Sequence, residues 1–313
     1  MRIMTRIRSF ISLARPHQYL KNIFVILPLF FAGSIQHMEA AVMACWAFAA
    51  FCFASSSAYV LNDLLDINED RAHPQKKNRP LAKGEINTGE AVAFMLGLLV
   101  VTLCMSIFLL PMAFVLIIAT YFSLNLIYSF SLKHHAILDI ICIGFGFVLR
   151  VLGGGAATNI HISKWIILMT FLLAVFLSLA KRRDDILLLS ETNGNIRRSL
   201  DGYNLEFVSA AMVIMASVVI VSYILYAVSQ EVIAKHGTDN LYITSFWVVI
   251  GLLRYLQITL VKQRSGSPTM VVLHDRFMQV VILLWIGTFA VLIYGKFLGS
   301  PSYFKHVLVG NWL

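Results

Sequence analysis

Nine apolar runs, at about 22–36, 40–62, 91–110, 112–132, 137–158, 164–180, 206–228, 241–259 and 277–298, dictate what this chain can fold into. Most match the roughly 20 helical residues that cross a hydrocarbon layer of about 30 Å. The first is short and carries Pro28, and the third and fourth are parted mainly by Pro111. The runs lack the alternation of barrel strands, so helices are the only spanning element that satisfies every backbone polar group. With 59% apolar and 13% charged residues there is nothing left over for a soluble appendage. The expectation is therefore an all-α, polytopic membrane protein of nine helices, with residues 1–313 as a single integral domain.

Charge placement orients it. Arg2, Arg6, Arg8, Arg15 and Lys21 precede the first run; every second loop afterwards is basic as well, with Arg71, Lys76, Lys77, Arg79 and Lys83, then Lys133, then Lys181, Arg182, Arg183, Arg197 and Arg198, then Lys262, Arg264 and Arg276. That puts 19 of 25 Lys and Arg residues on one side, against Lys164, Lys235, Lys296 and Lys305 on the other. By the positive-inside rule the N-terminus is cytoplasmic and the C-terminus outside. The net charge of +9 does not point to nucleic acid, because it is confined to membrane-flanking loops that suit topology and anionic lipid. No small-residue cleavage site follows the first run, so it is read as retained. Cys45, Cys52, Cys104 and Cys142 fall inside runs without a CxxC pair and read as packing residues. The histidines show no metal spacing.

Two cytoplasmic connections are long and charged, 63–90 and 181–205, and their positions after the second and sixth runs suggest a weak four-helix repeat. The first opens with Asn62, Asp63, Asp66 and Asp70. If the second helix continues two turns past the membrane, these residues share one face. Carboxylates clustered at a helix mouth are costly without a cation, and magnesium favours a few carboxylates completed by phosphate oxygens and water. A solvated acidic helix end is the plainer alternative. Arg71, Lys77 and Arg79 lie beside the stripe as candidate phosphate ligands, while Lys21 and Asn22 open the first run on the same side as candidates to meet a phosphate. Arg150 stands inside a run, where it either braces a neighbouring helix or meets substrate. Gly153-Gly154-Gly155 has no strand before it and reads as close helix packing. Arg254 and Asp275 flank the last cytoplasmic loop as a structural pair.

Asn62-Asp63-Leu64-Leu65-Asp66-Ile67-Asn68-Glu69-Asp70 at the end of the second of nine spans resembles the UbiA superfamily of intramembrane transferases. The likeness narrows through Arg15-Pro16-His17-Gln18-Tyr19-Leu20-Lys21-Asn22, Asp70-Arg71-Ala72-His73-Pro74, Lys77-Asn78-Arg79-Pro80-Leu81-Ala82 and Ala180-Lys181-Arg182-Arg183. Leu132-Lys133-His134, Phe147-Val148-Leu149-Arg150 and Ile162-Ser163-Lys164-Trp165 point the same way. Together they are similar to the decaprenyl-phosphate phosphoribosyltransferase branch, from about Arg15 to about Trp285.

That resemblance implies magnesium-dependent transfer of 5-phosphoribose from phosphoribosyl diphosphate to a polyprenyl phosphate. Diphosphate is released, and the product serves cell-envelope polysaccharide synthesis in a bacterial plasma membrane with the site facing the cytoplasm. It casts Asp63, Asp66 and Asp70 as metal ligands, and Tyr128 and Lys133 as approaching the diphosphate. On that reading Lys21 and Asn22 are candidates to meet the lipid phosphate or the ribose 5-phosphate. Superfamily prenyltransferases carry a second aspartate motif after the sixth span. Here Lys181 takes its first position and Asp185 its second, which favours direct phosphate contact by Lys181 and Arg182, with Asp184 beside them. Both substrates are anionic, and the lipid phosphate is already an ionised nucleophile, so no general base is required. The nearest rival is a prenyltransferase moving a prenyl group from its diphosphate to an aromatic acceptor. A cation or phosphate transporter would need polar residues through the midplane, which is mostly apolar here. A homo-oligomer is compatible with the sequence.

Overall fold

The computed structural model describes residues 2–72, 76–192, 202–262 and 268–298, and every regular element among them is helical. His73, Pro74, Arg197, Arg198, Arg264 and Lys305 lie outside the described residues, as does the 193–201 part of the second charged connection. In chain order the α-helices are α1 Arg2–Ala14, α2 Leu27–Phe31, α3 Met38–Leu65, α4 Ile67–Ala72, α5 Thr88–Leu109, α6 Met112–Phe130 and α7 Leu138–Thr158. They continue with α8 Lys164–Thr192, α9 Leu205–Ala227, α10 Gln230–His236, α11 Thr244–Leu256, α12 Pro268–His274 and α13 Arg276–Leu298. Eight helical segments are long and apolar enough to cross a membrane, namely α3, α5, α6, α7, α8 up to Leu188, α9, Asn240–Val261 and α13 up to Gly295. They match the second to ninth sequence runs.

The first run differs. A 3-10 helix at Pro16–Val25 leads into the five-residue α2, and the chain turns at Gly33. Pro16 and Pro28 supply no backbone N–H, which favours short pieces over one continuous α-helix. The boundary between α5 and α6 falls at Pro111, as its fixed φ and missing donor require. The start of α5 is set by a capping box: Asn87 accepts from the Glu90 N–H at 2.8 Å, and the Glu90 carboxylate accepts from the Asn87 N–H at 3.2 Å.

Contacts divide the chain into two compact units, Met1–Ala210 and Ala211–Leu313. Within the first, α7 is the central helix, packed on α3, α6, α8 and the 3-10 helix, while α5 lies against α3 and faces outward. Exposed Leu96, Val100, Ile107 and Phe108 on α5 are what a lipid-facing helix presents. Small residues let the inner helices approach closely. Ala47, Ala50, Phe51 and Ala54 of α3 pack with Val25, Phe114, Ile118, Tyr121 and Ala157. A Cβ built on Gly154 would sit 1.9 Å from the Val25 carbonyl oxygen, so the glycine run serves helix packing. Nearer the charged end, Leu13, Val60, Leu81, Ile86 and Ala91 form a second cluster that pins α1 and the loop 79–86. Of the cysteines, Cys52 and Cys142 are buried and Cys45 and Cys104 exposed, all of them free.

In the second unit, α11 and α13 pack along their length, and Trp285 donates to Tyr223 Oη at 2.8 Å. Arg254 grips Asp275 through Nε at 3.2 Å and Nη2 at 2.6 Å, the structural pair the sequence suggested.

Candidate active site

The stripe of carboxylates rests on a jointed helix. α3 ends at Leu65, Asp66 takes φ −97° and ψ 10°, and α4 begins at Ile67. An uninterrupted two-turn extension is therefore replaced by a joint at Asp66. The register survives it, because Asp66 N donates to Asn62 O at 3.0 Å and Asp70 N to Asp66 O at 2.8 Å. Asp63, Asp66 and Asp70 are 2%, 6% and 2% exposed. Carboxylates this buried need cationic partners, and each has one. Arg79 Nη1 spans the joint, 3.0 Å from Asp63 Oδ1 and 2.5 Å from Asp70 Oδ2. Arg15 also pairs with Asp63, from a left-handed backbone position at φ 54° between α1 and the 3-10 helix. Lys133, in the short 3-10 turn after α6, pairs with Asp66.

A second polar cluster centres on Arg182, 1% exposed. Its Nε lies 2.6 Å from Asp139 Oδ2 and its Nη1 2.7 Å from Asp185 Oδ2. Tyr203 donates to Asp139 Oδ1 at 2.7 Å, and burial together with that carboxylate pushes the phenol pKa up, keeping it a donor. Tyr128 is close enough to interact electrostatically with Arg182. Asp184 is buried, Arg183 donates to Ser209 at 3.3 Å, and Lys181 is exposed.

Not every residue proposed from sequence joins these clusters. Arg71 and Lys77 are exposed, and Arg71 Nε donates to the Ala82 carbonyl at 3.3 Å. Asn22, expected to meet a phosphate, is instead fully buried among protein groups. Its amide donates to Cys52 Sγ at 3.3 Å and Ser55 Oγ at 3.2 Å, and its Oδ1 accepts from Arg150 Nε at 2.7 Å. The physical reason is Arg150, whose charge inside α7 must be shared among neighbours. Asn22, the Gly146 carbonyl at 2.8 Å and Tyr121 Oη at 2.9 Å do this. Lys21 stands beside Asn22 in the same 3-10 helix, partly buried. Arg150 is thus the brace between helices.

Three contributors were missed as site residues by sequence reasoning. Arg15 carried a signal, being a basic residue directly before a proline at the membrane edge. Asp139 sat in plain view six residues after Lys133. Tyr203 carried none, because only folding brings it to Asp139.

Among the described residues no group of three His, Cys, Asp or Glu side chains stands ready to hold a metal ion by itself. The donor set nevertheless suits magnesium. Asp63, Asp66 and Asp70 are hard oxygen donors on one face, and Asn62 Oδ1 beside them is a buried acceptor with no hydrogen-bond partner. Magnesium keeps waters and takes phosphate oxygens, so it needs only one or two of these carboxylates.

The profile of the UbiA prenyltransferase family matches residues 23–260. A decaprenyl-phosphate phosphoribosyltransferase from Mycolicibacterium smegmatis is 33% identical over 299 residues, covering 92% of this chain and 93% of that protein. The enzyme of the same name from Corynebacterium glutamicum is 31% identical over 91% of this chain and 86% of its own length. A UbiA homolog from Archaeoglobus fulgidus, solved bound to GPP and Mg2+, superposes with a TM-score of 0.67 at 17% identity, covering 91% of this chain and 99% of that one. By the breadth of the profile match and by relatives above 30% identity along nearly its whole length, the chain belongs to the UbiA prenyltransferase family.

Proposed function

We propose that this protein transfers the 5-phosphoribosyl group of phosphoribosyl diphosphate to a polyprenyl phosphate of the decaprenyl type. The bond from the anomeric carbon to the diphosphate oxygen breaks, a bond to the lipid phosphate oxygen forms, and diphosphate leaves. The observation that carries the reading is similarity along nearly the whole chain to two decaprenyl-phosphate phosphoribosyltransferases.

The site's charge arrangement supports it. Asp63, Asp66, Asp70 and Asp185 are balanced by Arg15, Arg79, Lys133 and Arg182 at one end of the first unit. A magnesium-bound diphosphate brings both signs at once, so carboxylates can turn to the cation while the basic side chains turn to phosphate oxygens. When bound, magnesium would neutralise charge on the leaving diphosphate, with Asp63, Asp66, Asp70 and Asn62 as the residues to hold it. Arg79, Lys133, Arg182 and Lys181 stabilise the same charge as it develops in the transition state. Tyr128 stands near Arg182 in this group, and the exposed Arg71 and Lys77 add long-range attraction for anions at the rim, while Lys21 is partly buried beside Asn22. Asp185 keeps Arg182 anchored, with the buried Asp184 next to it in the helix. The acceptor phosphate is ionised at neutral pH, so deprotonation of the nucleophile is unnecessary.

The reading places the site on the cytoplasmic face of a bacterial plasma membrane, with nine crossings and the N-terminus inside. Pro16–Phe31 supplies the first crossing. Ten 3-10 residues rise about 20 Å and five α-helical residues about 8 Å, together close to a hydrocarbon thickness. Pairing of Tyr19 with Ser56 and of Asn22 with Ser55 and Cys52 shows this segment running antiparallel to α3.

The test incubates purified protein with magnesium, labelled phosphoribosyl diphosphate and polyprenyl phosphate. A labelled lipid together with free diphosphate is the expected result. Activity confined to prenyl diphosphate plus 4-hydroxybenzoate would reverse the assignment of donor and acceptor.

A further inference from the structure

Asp139 is fully buried in the first turn of α7, and both of its carboxylate oxygens are engaged. Oδ2 forms an ion pair with Arg182 Nε at 2.6 Å, without hydrogen-bond alignment, while Oδ1 accepts from Tyr203 Oη at 2.7 Å and from the Ile140 N–H at 2.8 Å. Tyr203 Oη in turn accepts the backbone N–H of Ile137 at 2.6 Å. Ile137 holds φ 71° and ψ −49°, a conformation that β-branched residues avoid and that persists only where its surroundings enforce it. The neighbouring Gly202 explains how the tyrosine gets there. A Cβ at Gly202 would lie 2.5 Å from Ala136 Cβ, so only a glycine lets the two backbones come this close. The segment 202–203 is thus docked by shape and by hydrogen bonding onto residues 136–139.

At the far end of this chain of contacts is Arg182. Asp139 holds the charge of Arg182 by a 2.6 Å ion pair at Nε that lacks hydrogen-bond alignment, Nη1 donates to Asp185 at 2.7 Å, and the planar guanidinium is thus confined from two sides with Nη2 as the remaining donor group of the fork. An arginine whose rotamer freedom is already spent loses little entropy when a phosphate arrives. We propose that Tyr203 and Asp139 are positioning residues for the reaction: they lock Arg182 into the geometry that receives the donor's diphosphate. The inference rests on the reading of Arg182 as a phosphate ligand given above. A plain staple joining two loops would share the contacts, but would act on stability without acting on diphosphate affinity.

The experiment uses the full-length protein in detergent and a double-mutant cycle of Tyr203→Phe and Arg182→Lys. Donor KM and kcat are measured, along with the affinity for inorganic diphosphate in magnesium by calorimetry. Tyr203→Phe keeps the ring stacked on Phe207 and removes only the hydroxyl. Donor KM and the diphosphate Kd are expected to rise roughly tenfold, the scale of a hydrogen bond to a charged group. A kcat held within about twofold would place the loss in binding. In the Arg182→Lys background the same substitution should add nothing, because its effect runs through Arg182. Unchanged affinity in Tyr203→Phe, or fully additive losses in the double variant, would overturn the proposal. Asp139→Asn, read in the same cycle, serves if Tyr203→Phe does not purify. Wild-type protein that binds diphosphate yet forms no product from phosphoribosyl diphosphate would refute the functional reading alone, and the calorimetric cycle would still decide the role of Tyr203.

Discussion

Lys133 and Asp66 form an ion pair in which both side chains are largely withdrawn from solvent, Lys133 at 5% and Asp66 at 8% side-chain exposure. The pair ties the turn after α6 to the joint between α3 and α4. It also places a basic group beside the central carboxylate of the stripe.

The first prediction follows from that pair. Asp66→Asn keeps the volume and one acceptor but removes the charge. Turnover should fall by roughly 10²–10³, the scale of losing an electrostatic contact to the reacting groups. Size-exclusion behaviour should match wild type. Retention of near-full turnover would sink the role of Asp66 as a metal ligand. Chelation of magnesium should abolish wild-type turnover, with recovery on adding the ion back.

Arg79 spans two carboxylates across the helix joint. Arg79→Ala leaves Asp63 with Arg15 but strips Asp70 of its ion pair with Arg79. Removing one partner of a buried ion pair costs about 3–5 kcal/mol. Arg79 is a quarter exposed, so solvent screening should bring the loss to the lower end of that range or below. Thermal unfolding in detergent measures this, and donor KM should rise in parallel. A stable variant with unchanged KM would mean that Arg79 is only loop charge.

Lys181→Asp replaces the exposed cation proposed to contact phosphate with a carboxylate. Binding of phosphoribosyl diphosphate should weaken by at least tenfold, or about 1.4 kcal/mol, while magnesium affinity holds or rises. Calorimetry with each ligand separately decides it. Loss of metal binding with donor binding intact would contradict direct phosphate contact by Lys181.

Arg150 predicts the opposite signature. Its guanidinium is hydrogen-bonded to Asn22, Gly146 and Tyr121 and lies 4.8 Å over the Tyr121 ring. Arg150→Met should cost roughly 2–4 kcal/mol, because Asn22 and Tyr121 are left with unmet partners in a dry interior. Substrate KM in the surviving folded fraction should be unchanged. A raised KM at wild-type stability would return Arg150 and Asn22 to the substrate site.

Gly154→Ala tests the packing directly. The added methyl meets the Val25 carbonyl oxygen at 1.9 Å, a backbone atom that cannot step aside. Expression of folded protein should collapse, whereas Gly97→Ala, where a Cβ finds open space, should be tolerated.

Eight spanning segments were legible because each is a solvent-transfer problem solved along the chain: an apolar run, a proline or a charged loop marks where helix meets water. The carboxylate stripe was legible for the same local reason, since i, i+3 and i+7 spacing survives even the joint at Asp66. The broken first run was only half legible. Pro28 announced an interruption, but the 3-10 geometry depends on packing against α3 and α7.

What the sequence by itself determined, then, is the membrane-spanning pattern, the family and the set of charges gathered at one end, all properties of local order and composition. Apart from Arg254–Asp275, which the sequence suggested, and the i,i+3 pair Arg182–Asp185, which charge answers which was settled by tertiary structure. Lys133 is 67 positions from Asp66, Tyr203 is 64 from Asp139 and Asn22 is 128 from Arg150. Such pairs are chosen by which helices close against one another. In a low-dielectric interior each buried charge must take the partner that packing delivers, and no spacing along the chain records that choice.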